Sequence, residues 1–169
     1  MRSVVQLDAS QVRQTVCPWC GKQPRRAAGG FEVRRDGKLL GVIGFAPSND
    51  EAGHTPAGSA MITVLWVHPY ELGEHVGTQL LQRLAWHLRA SGYRYLVSSG
   101  SGRNPTCDRP PAEWLQGRGF TEHVAGLQWR LDLRRTAPAW RWLADAAAAA
   151  KSHLYQWRPR PENATRSSG

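Results

Sequence analysis

The stretch "VLWVHPYELGEHVGTQLL" (64–81) decides the fold, because it begins as a strand and ends as a helix. The segment "AMITVLWV" (60–67) is apolar on both faces, as in a central strand that is covered on both sides. From Val76 onward, apolar residues recur at spacings of three and four, which predicts a helix with one buried face. Gly73 and Gly77 lie at the junction, where they predict a tight turn and close approach to the backbone.

A helix that follows such a turn presents backbone N–H groups that no carbonyl within the helix can accept. With the positive end of the helix dipole, these groups favour an anion, and phosphate is the usual occupant. The junction therefore predicts a phosphate site at the start of the helix. The alternative is that the glycines serve only to turn the chain.

Working outward from the junction, the sequence predicts the element order β-β-β-α-β-α-β. Asp36 and Gly37 supply the turn of a hairpin between "FEVRRDG" and "KLLGVIGFAP", and a final strand lies within 120–133. This order is typical of an α/β fold with a central mixed β-sheet flanked by helices. The alanine-rich segment 134–158 predicts a C-terminal helical extension.

The junction resembles the signature of the GNAT superfamily of N-acetyltransferases, V-x-P-x-x-(R/Q)-G-x-G-x-(G/A). Val67, Pro69, Gly73, Val76 and Gly77 fall in register with it. A second feature of that family, a short helix that ends in Gly-Phe, resembles "WLQGRGF" (114–120). The resemblance implies a GNAT-like fold and binding of acetyl-CoA as cosubstrate. Its cofactor-binding positions correspond here to Val67, Leu72, Gly73, His75, Val76, Gly77 and Thr78.

The sequence departs from the family pattern at four positions. Leu72 stands where Arg or Gln is usual, and His75 stands where glycine is usual. Thr63 replaces a frequent glutamate, and Leu115 replaces a frequent tyrosine that protonates the leaving thiolate. The resemblance therefore supports the cofactor site more strongly than the catalytic groups.

Three residues are candidates for catalysis. His68 lies beside the junction and His54 lies in a polar loop, and either imidazole is a candidate general base. Ser98, at the end of the next strand, would orient substrate or donate a proton. A backbone N–H near Val67 or His68 would polarise the thioester carbonyl. For each side chain a purely structural role is the alternative.

The segment "CPWCGK" (17–22) has the form of a zinc-knuckle turn, in which two thiolates converge beside a glycine. A structural zinc needs four ligands, and the chain has no second Cys-x-x-C pair. We therefore expect an unmetallated turn. Zinc bound by Cys17 and Cys20, completed by Cys107 or a histidine, is the alternative.

Charge and composition predict how the chain is organised. The net charge of +9 lies at the ends, because residues 1–30 carry +4, residues 134–169 carry +5 and the middle is neutral. We expect a basic N-terminal segment with the knuckle (1–30), an acetyltransferase-like domain (31–133), an Ala/Trp-rich helix (134–158) and a disordered tail (159–169). The three cysteines and the absence of a long apolar run predict a reduced, cytoplasmic protein without a membrane span.

The sequence thus predicts an acetyl-CoA-dependent N-acetyltransferase that moves an acetyl group to a primary amine by direct attack in a ternary complex. One alternative is a nucleic-acid-binding or adaptor module that uses the basic ends. Another, suggested by Thr63 and Leu115, is a catalytically silent acyl-CoA-binding protein. The acceptor amine, a small molecule or a protein, stays open, as does a homodimer contact through the C-terminal helix.

Overall fold

The computed structural model describes residues 1–48 and 55–135. Its elements are β1 (Arg2–Asp8), α1 (Ala9–Gln14), β2 (Gly29–Arg35), β3 (Lys38–Pro47), β4 (Ser59–Val67), a 3-10 turn (Pro69–Glu71), α2 (Val76–Ala90), β5 (Tyr95–Ser99), α3 (Ala112–Gly117), β6 (Thr121–Val124) and β7 (Gln128–Asp132). They form a seven-stranded sheet in the order β1-β2-β3-β4-β5-β7-β6. Only the β4–β5 pair is parallel, so the mixed sheet with flanking helices is confirmed. Among the described residues, no helix is long and apolar enough to cross a membrane.

Helix α2 covers one face of the sheet, as the spacing of its leucines predicted. Leu80, Leu84 and Leu88 are fully buried and belong to the larger hydrophobic core. The helix packs against β2, β3 and β4. Burial of each such side chain contributes roughly 1.5–3 kcal/mol, which is enough to hold the start of the helix in a fixed position against β4.

The N-terminal segment covers the other face of the sheet. Val12 of α1 and Cys17 pack there with Val64 and Trp66 of β4 and with Cys107. The knuckle therefore lies against the central strand. The first 30 residues contribute directly to the fold and are more than a basic extension.

The element order predicted from the sequence was incomplete at both ends. Strand β1 pairs with β2 along its whole length, from Arg2↔Arg35 to Asp8↔Gly29, and α1 follows it. Most of β1 is exposed, so it lacks the alternating apolar pattern that identifies a strand. The single strand predicted within 120–133 is the hairpin β6–β7.

A bulge in β4 opens the sheet next to the junction. Ile62 pairs with Phe45 and Val64 with Gly44, which leaves Thr63 without a partner across the ladder. Strand β5 pairs with β4 only from Ser59 to Met61. Beyond that point, no strand among the described residues lies along one edge of β4, which runs to Val67.

The structure leaves several predictions untested. His54 lies outside the described residues, as does the predicted C-terminal helix from residue 136 onward. The tail at 159–169 lies outside them too. Those predictions stand as expectations from the sequence.

Candidate functional site

A cavity of about 690 Å³ follows the unpaired edge of β4 and reaches the start of α2. Four segments line it: the end of β4, the turn into α2, the knuckle, and the chain from the 105–111 loop into α3. All seven residues predicted to bind the cofactor lie in its wall. The lining residues are Cys17, Trp19, Cys20, Leu65, Trp66, Val67, Glu71, Leu72, Gly73, His75, Val76, Gly77, Thr78, Pro105, Thr106, Cys107, Pro110, Pro111, Trp114 and Arg118.

The end of the cavity at α2 has the geometry of an anion site. Helix α2 starts at Val76, and no side chain caps its first turn. The first backbone bond there runs from the N–H of Gln79 to the carbonyl of His75, at 3.0 Å. Within residues 1–48 and 55–135, the N–H groups of Val76, Gly77 and Thr78 therefore have no acceptor. Free N–H groups and the helix dipole together favour an anion at this point.

His75 stands at a glycine position of the signature, and its backbone adopts the conformation that glycine favours. Its φ is +60°, in the left-handed region, and Gly73 two residues earlier has a φ of +83°. A residue with a side chain costs roughly 1–2 kcal/mol in that conformation. The turn keeps the shape of the signature even though His75 replaces the glycine.

Arg118 brings a positive charge to the anion site, and the sequence did not single it out. Its Nε donates to Thr78 Oγ1 at 2.9 Å, and its guanidinium lies 5.4 Å from the centre of the Trp114 ring. Arg118 follows α3, 40 residues beyond Thr78. The only local signal was its place just before the Gly-Phe pair that ends the second motif.

Arginines of β1 and β2 neutralise the acidic residues of the turn. Glu71 pairs with Arg35 at 3.1 Å and with Arg2 at 3.4 Å, and Glu74 pairs with Arg2 at 3.3 Å. Arg2 also donates to the backbone carbonyl of Glu74 at 2.7 Å. The strand missed from the sequence, β1, thus holds the turn in place and offsets two negative charges beside the anion site.

Backbone hydrogen bonds show which groups of β4 face the cavity. The N–H of His68 donates to the carbonyl of Leu40 on β3 at 2.7 Å, so His68 faces β3. Because successive residues of a strand point their backbone groups to opposite edges, Val67 and Leu65 face the unpaired edge. The N–H of Leu65 donates to the carbonyl of Cys107 at 2.6 Å, and the indole of Trp19 donates to the carbonyl of Val67 at 2.7 Å.

Of the two backbone N–H groups expected to polarise a thioester, only that of Val67 lies on the cavity edge. The alternative that used His68 was wrong, because β3 accepts its N–H. The imidazole of His68 stacks on Tyr70 with ring centres 5.2 Å apart, and His68 is absent from the cavity wall.

Ser98 is also absent from the cavity wall. Its side chain is fully buried in β5, where the hydroxyl donates to the carbonyl of Ser99 at 3.1 Å. The structure therefore brings neither Ser98 nor His68 to the cavity. Ser98 is buried in β5, and His68 stacks on Tyr70.

Two buried polar groups of β4 have no hydrogen-bond partner among the described residues, Thr63 Oγ1 and Trp66 Nε1. Trp66 also lines the cavity. An unpaired buried donor costs about 1–3 kcal/mol unless an acceptor is supplied. The indole nitrogen itself is buried, so this donor is unpaired among the described residues without being exposed to the cavity.

The knuckle cysteines meet the third cysteine of the chain in the cavity wall. Cys20 Sγ lies 3.5 Å from Cys107 Sγ, and Cys17 completes the group. The backbone N–H of Lys22 lowers the pKa of the Cys20 thiol, an effect that burial opposes and that Cys107 and Cys17 reinforce. Burial raises the pKa of the Cys107 thiol, and the neighbouring thiols Cys20 and Cys17 add to this.

Comparisons with known proteins agree with this geometry. The sequence model of the acetyltransferase (GNAT) family matches residues 4–105, a range that includes most of β1, the bulge and the start of α2. No curated protein matches the sequence.

Solved structures with the same fold include several acetyltransferases. IAA acetyltransferase from Bacillus cereus ATCC 14579 has a TM-score of 0.58 at 12% identity, over 78% of this chain and 99% of that one. The ribosomal-protein-S18-alanine N-acetyltransferase from Escherichia coli has a TM-score of 0.54 at 17% identity, over 79% and 94% of the two chains. An N-acetyltransferase from Staphylococcus aureus Mu50 has a TM-score of 0.50 at 22% identity, over 62% and 67%. These likenesses confirm the predicted fold.

Proposed function

Because the chain belongs to the GNAT acetyltransferase family, we propose that it is an acetyl-CoA-dependent N-acetyltransferase. It transfers the acetyl group to a primary amine by direct attack in a ternary complex. The observation that carries the proposal is the cavity, which joins the uncapped start of α2 to the unpaired edge of β4.

The start of α2 would hold the diphosphate of acetyl-CoA. The free N–H groups of Val76, Gly77 and Thr78 supply donors, and the guanidinium of Arg118 supplies charge. Leu72 contributes no charge, but binding through backbone groups does not require a particular side chain at that position. The pairing of Glu71 with Arg2 and Arg35 limits repulsion of the phosphates.

The edge of β4 would hold the pantetheine arm and the thioester. Leu65, Trp66 and Val67 of this edge line the cavity. The N–H of Val67 on the same edge is the group we assign to polarising the thioester carbonyl. Bound there, acetyl-CoA would supply an activated acetyl group. The amine nitrogen would bond to the acetyl carbon as the carbon–sulfur bond breaks, CoA would leave as a thiolate that takes a proton from solvent, and the amine would lose its proton to solvent.

Positioning and polarisation account for most of the proposed catalysis. Effective molarities for well-oriented reactants reach on the order of 10⁵ M, whereas a general base contributes roughly 10²–10⁴-fold. Leu115 is fully buried in the core and Thr63 cannot ionise at neutral pH, so neither replaces the usual acid or base. His54 stays a candidate base from the sequence, and we assign no described residue to that role.

A second candidate function is a catalytically silent acyl-CoA-binding protein. Thr63 and Leu115 favour it, because they stand where the family usually places its base and its acid. Both candidates require the same cofactor site, and only the first requires turnover.

Calorimetry with acetyl-CoA and a CoA-release assay over a panel of primary amines test the proposal together. Saturable acetyl-CoA binding with amine-dependent release of free thiol supports the transferase. Binding without release from any amine supports the silent acyl-CoA-binding protein. A melting temperature that stays unchanged at millimolar acetyl-CoA would show that acetyl-CoA does not bind, and it would refute both candidates.

A further inference from the structure

The three cysteines of the chain form one cluster in the wall of the cavity. Cys17 and Cys20 come from the knuckle, and Cys107 comes from a loop 87 residues after Cys20. Their three sulfur atoms all lie within 4.8 Å of one another. Cys17 and Cys107 are buried, at 1% and 7% exposure. The fold therefore brings together every thiol that the chain possesses.

The knuckle has the backbone geometry that points two thiols to the same side. The N–H of Gly21 donates to the carbonyl of Cys17 at 2.9 Å, and the N–H of Cys17 donates to the carbonyl of Lys22 at 3.0 Å. Gly21 has a φ of +68°, a conformation that glycine adopts without steric cost. The turn thus places the sulfur atoms of Cys17 and Cys20 in one group with that of Cys107.

The spacing of the sulfur atoms suits a tetrahedral metal. Zinc–sulfur bonds of about 2.3 Å in a tetrahedral site place sulfur atoms about 3.8 Å apart. The Cys20–Cys107 separation of 3.5 Å is close to this value, and the cysteines are free thiols. A disulfide would use two of the three and leave one buried thiol over, whereas a soft divalent metal uses all three.

We propose that Cys17, Cys20 and Cys107 bind one zinc ion through three thiolates. Each thiol loses its proton to solvent when the metal binds. Among the described residues, the metal-ligating group consists of these three, and all three line the cavity. A tetrahedral ion needs one further ligand, which we assign to a water molecule from the cavity that all three residues line. The site ties the knuckle to the 105–111 loop and so fixes one wall of the cavity.

The test uses the full chain, dialysed against zinc chloride with a non-thiol reductant and analysed by mass spectrometry for metal. One zinc ion per chain is expected in the wild type. Cys20→Ser and Cys107→Ser should each lose the stoichiometric zinc. Lys22→Ala is the matched control and should keep it, because Lys22 takes part in the knuckle through its backbone and its side chain is exposed. Circular dichroism shows whether each variant is folded.

Cobalt(II) provides a measurement that needs no variant. Loading the wild type with cobalt should produce thiolate-to-metal charge-transfer bands and the visible bands of a tetrahedral ion. Wild-type protein that takes up no stoichiometric zinc or cobalt under reducing conditions would overturn the proposal. So would a Cys107→Ser protein that keeps one zinc ion. Because only metal content is measured, neither result depends on acetyl transfer.

Discussion

Replacing Arg118 by alanine should weaken acetyl-CoA binding about tenfold. The guanidinium bonds Thr78 Oγ1 at the start of α2, so a diphosphate at the free N–H groups would lie beside a positive charge. A hydrogen bond to a charged group is worth about 1.5–3 kcal/mol, and the partial exposure of Arg118 argues for the lower end of that range. A loss of about 1.4 kcal/mol corresponds to a tenfold higher Kd.

Isothermal titration calorimetry at low ionic strength measures this loss. Arg103→Ala is the matched control, because Arg103 is exposed, lies outside the cavity wall and carries the same charge. Arg118→Lys should recover part of the affinity, since lysine retains the charge but not the bond through Nε. Acetyl-pantetheine, which lacks the diphosphate, should bind wild type and Arg118→Ala equally. If Arg118→Ala weakens both ligands alike, or no more than Arg103→Ala does, the diphosphate assignment is wrong.

Three further predictions test the turn and the metal. A Cβ at Gly77 would lie 3.3 Å from the Trp114 ring. Gly77→Val should therefore displace Trp114 into the cavity and weaken acetyl-CoA binding. An unchanged Kd in calorimetry would contradict this. In urea denaturation, His75→Val should have a free energy of unfolding about 1–2 kcal/mol lower than His75→Gly, because a β-branched residue is strained at a φ of +60°. Equal urea midpoints for the two variants would argue against strain at this turn. A zinc chelator should lower the melting temperature of the wild type but not that of Cys107→Ser. If the chelator shifts the two melting temperatures equally, the proposed zinc site is contradicted.

The helix and the turn that precedes it were predictable because their signals are local. The leucines of α2 lie close along the chain, and a helix of fifteen residues repeats its pattern often enough to be read. Gly73 and Gly77 mark the turn within five residues of one another. A pattern of this kind depends only on residues that are close in sequence, so it can be recognised without knowledge of the tertiary structure.

Features that depend on contacts between distant segments were missed. Strand β1 is identifiable mainly by its ladder with β2. The one local signal in this segment marks α1 instead, because Asp8 and Gln11 form a capping box at the start of that six-residue helix. Arg118 reaches Thr78 only because α3 packs beside the start of α2. The sequence named Cys107 only as one of several residues that could join Cys17 and Cys20, because nothing in sequence shows that Cys107 folds against them.

The two proposed sites share the edge of β4, which makes their coupling measurable. Cys107 holds the N–H of Leu65 and Trp19 holds the carbonyl of Val67, so a metal that fixes both segments also fixes the cavity wall. If zinc tightens acetyl-CoA binding by some factor, acetyl-CoA must tighten zinc binding by the same factor. Arg118→Ala should leave zinc affinity unchanged when acetyl-CoA is absent, because Arg118 is not part of the cysteine cluster. If zinc leaves the Kd of acetyl-CoA unchanged, the two sites are not coupled through the wall they share.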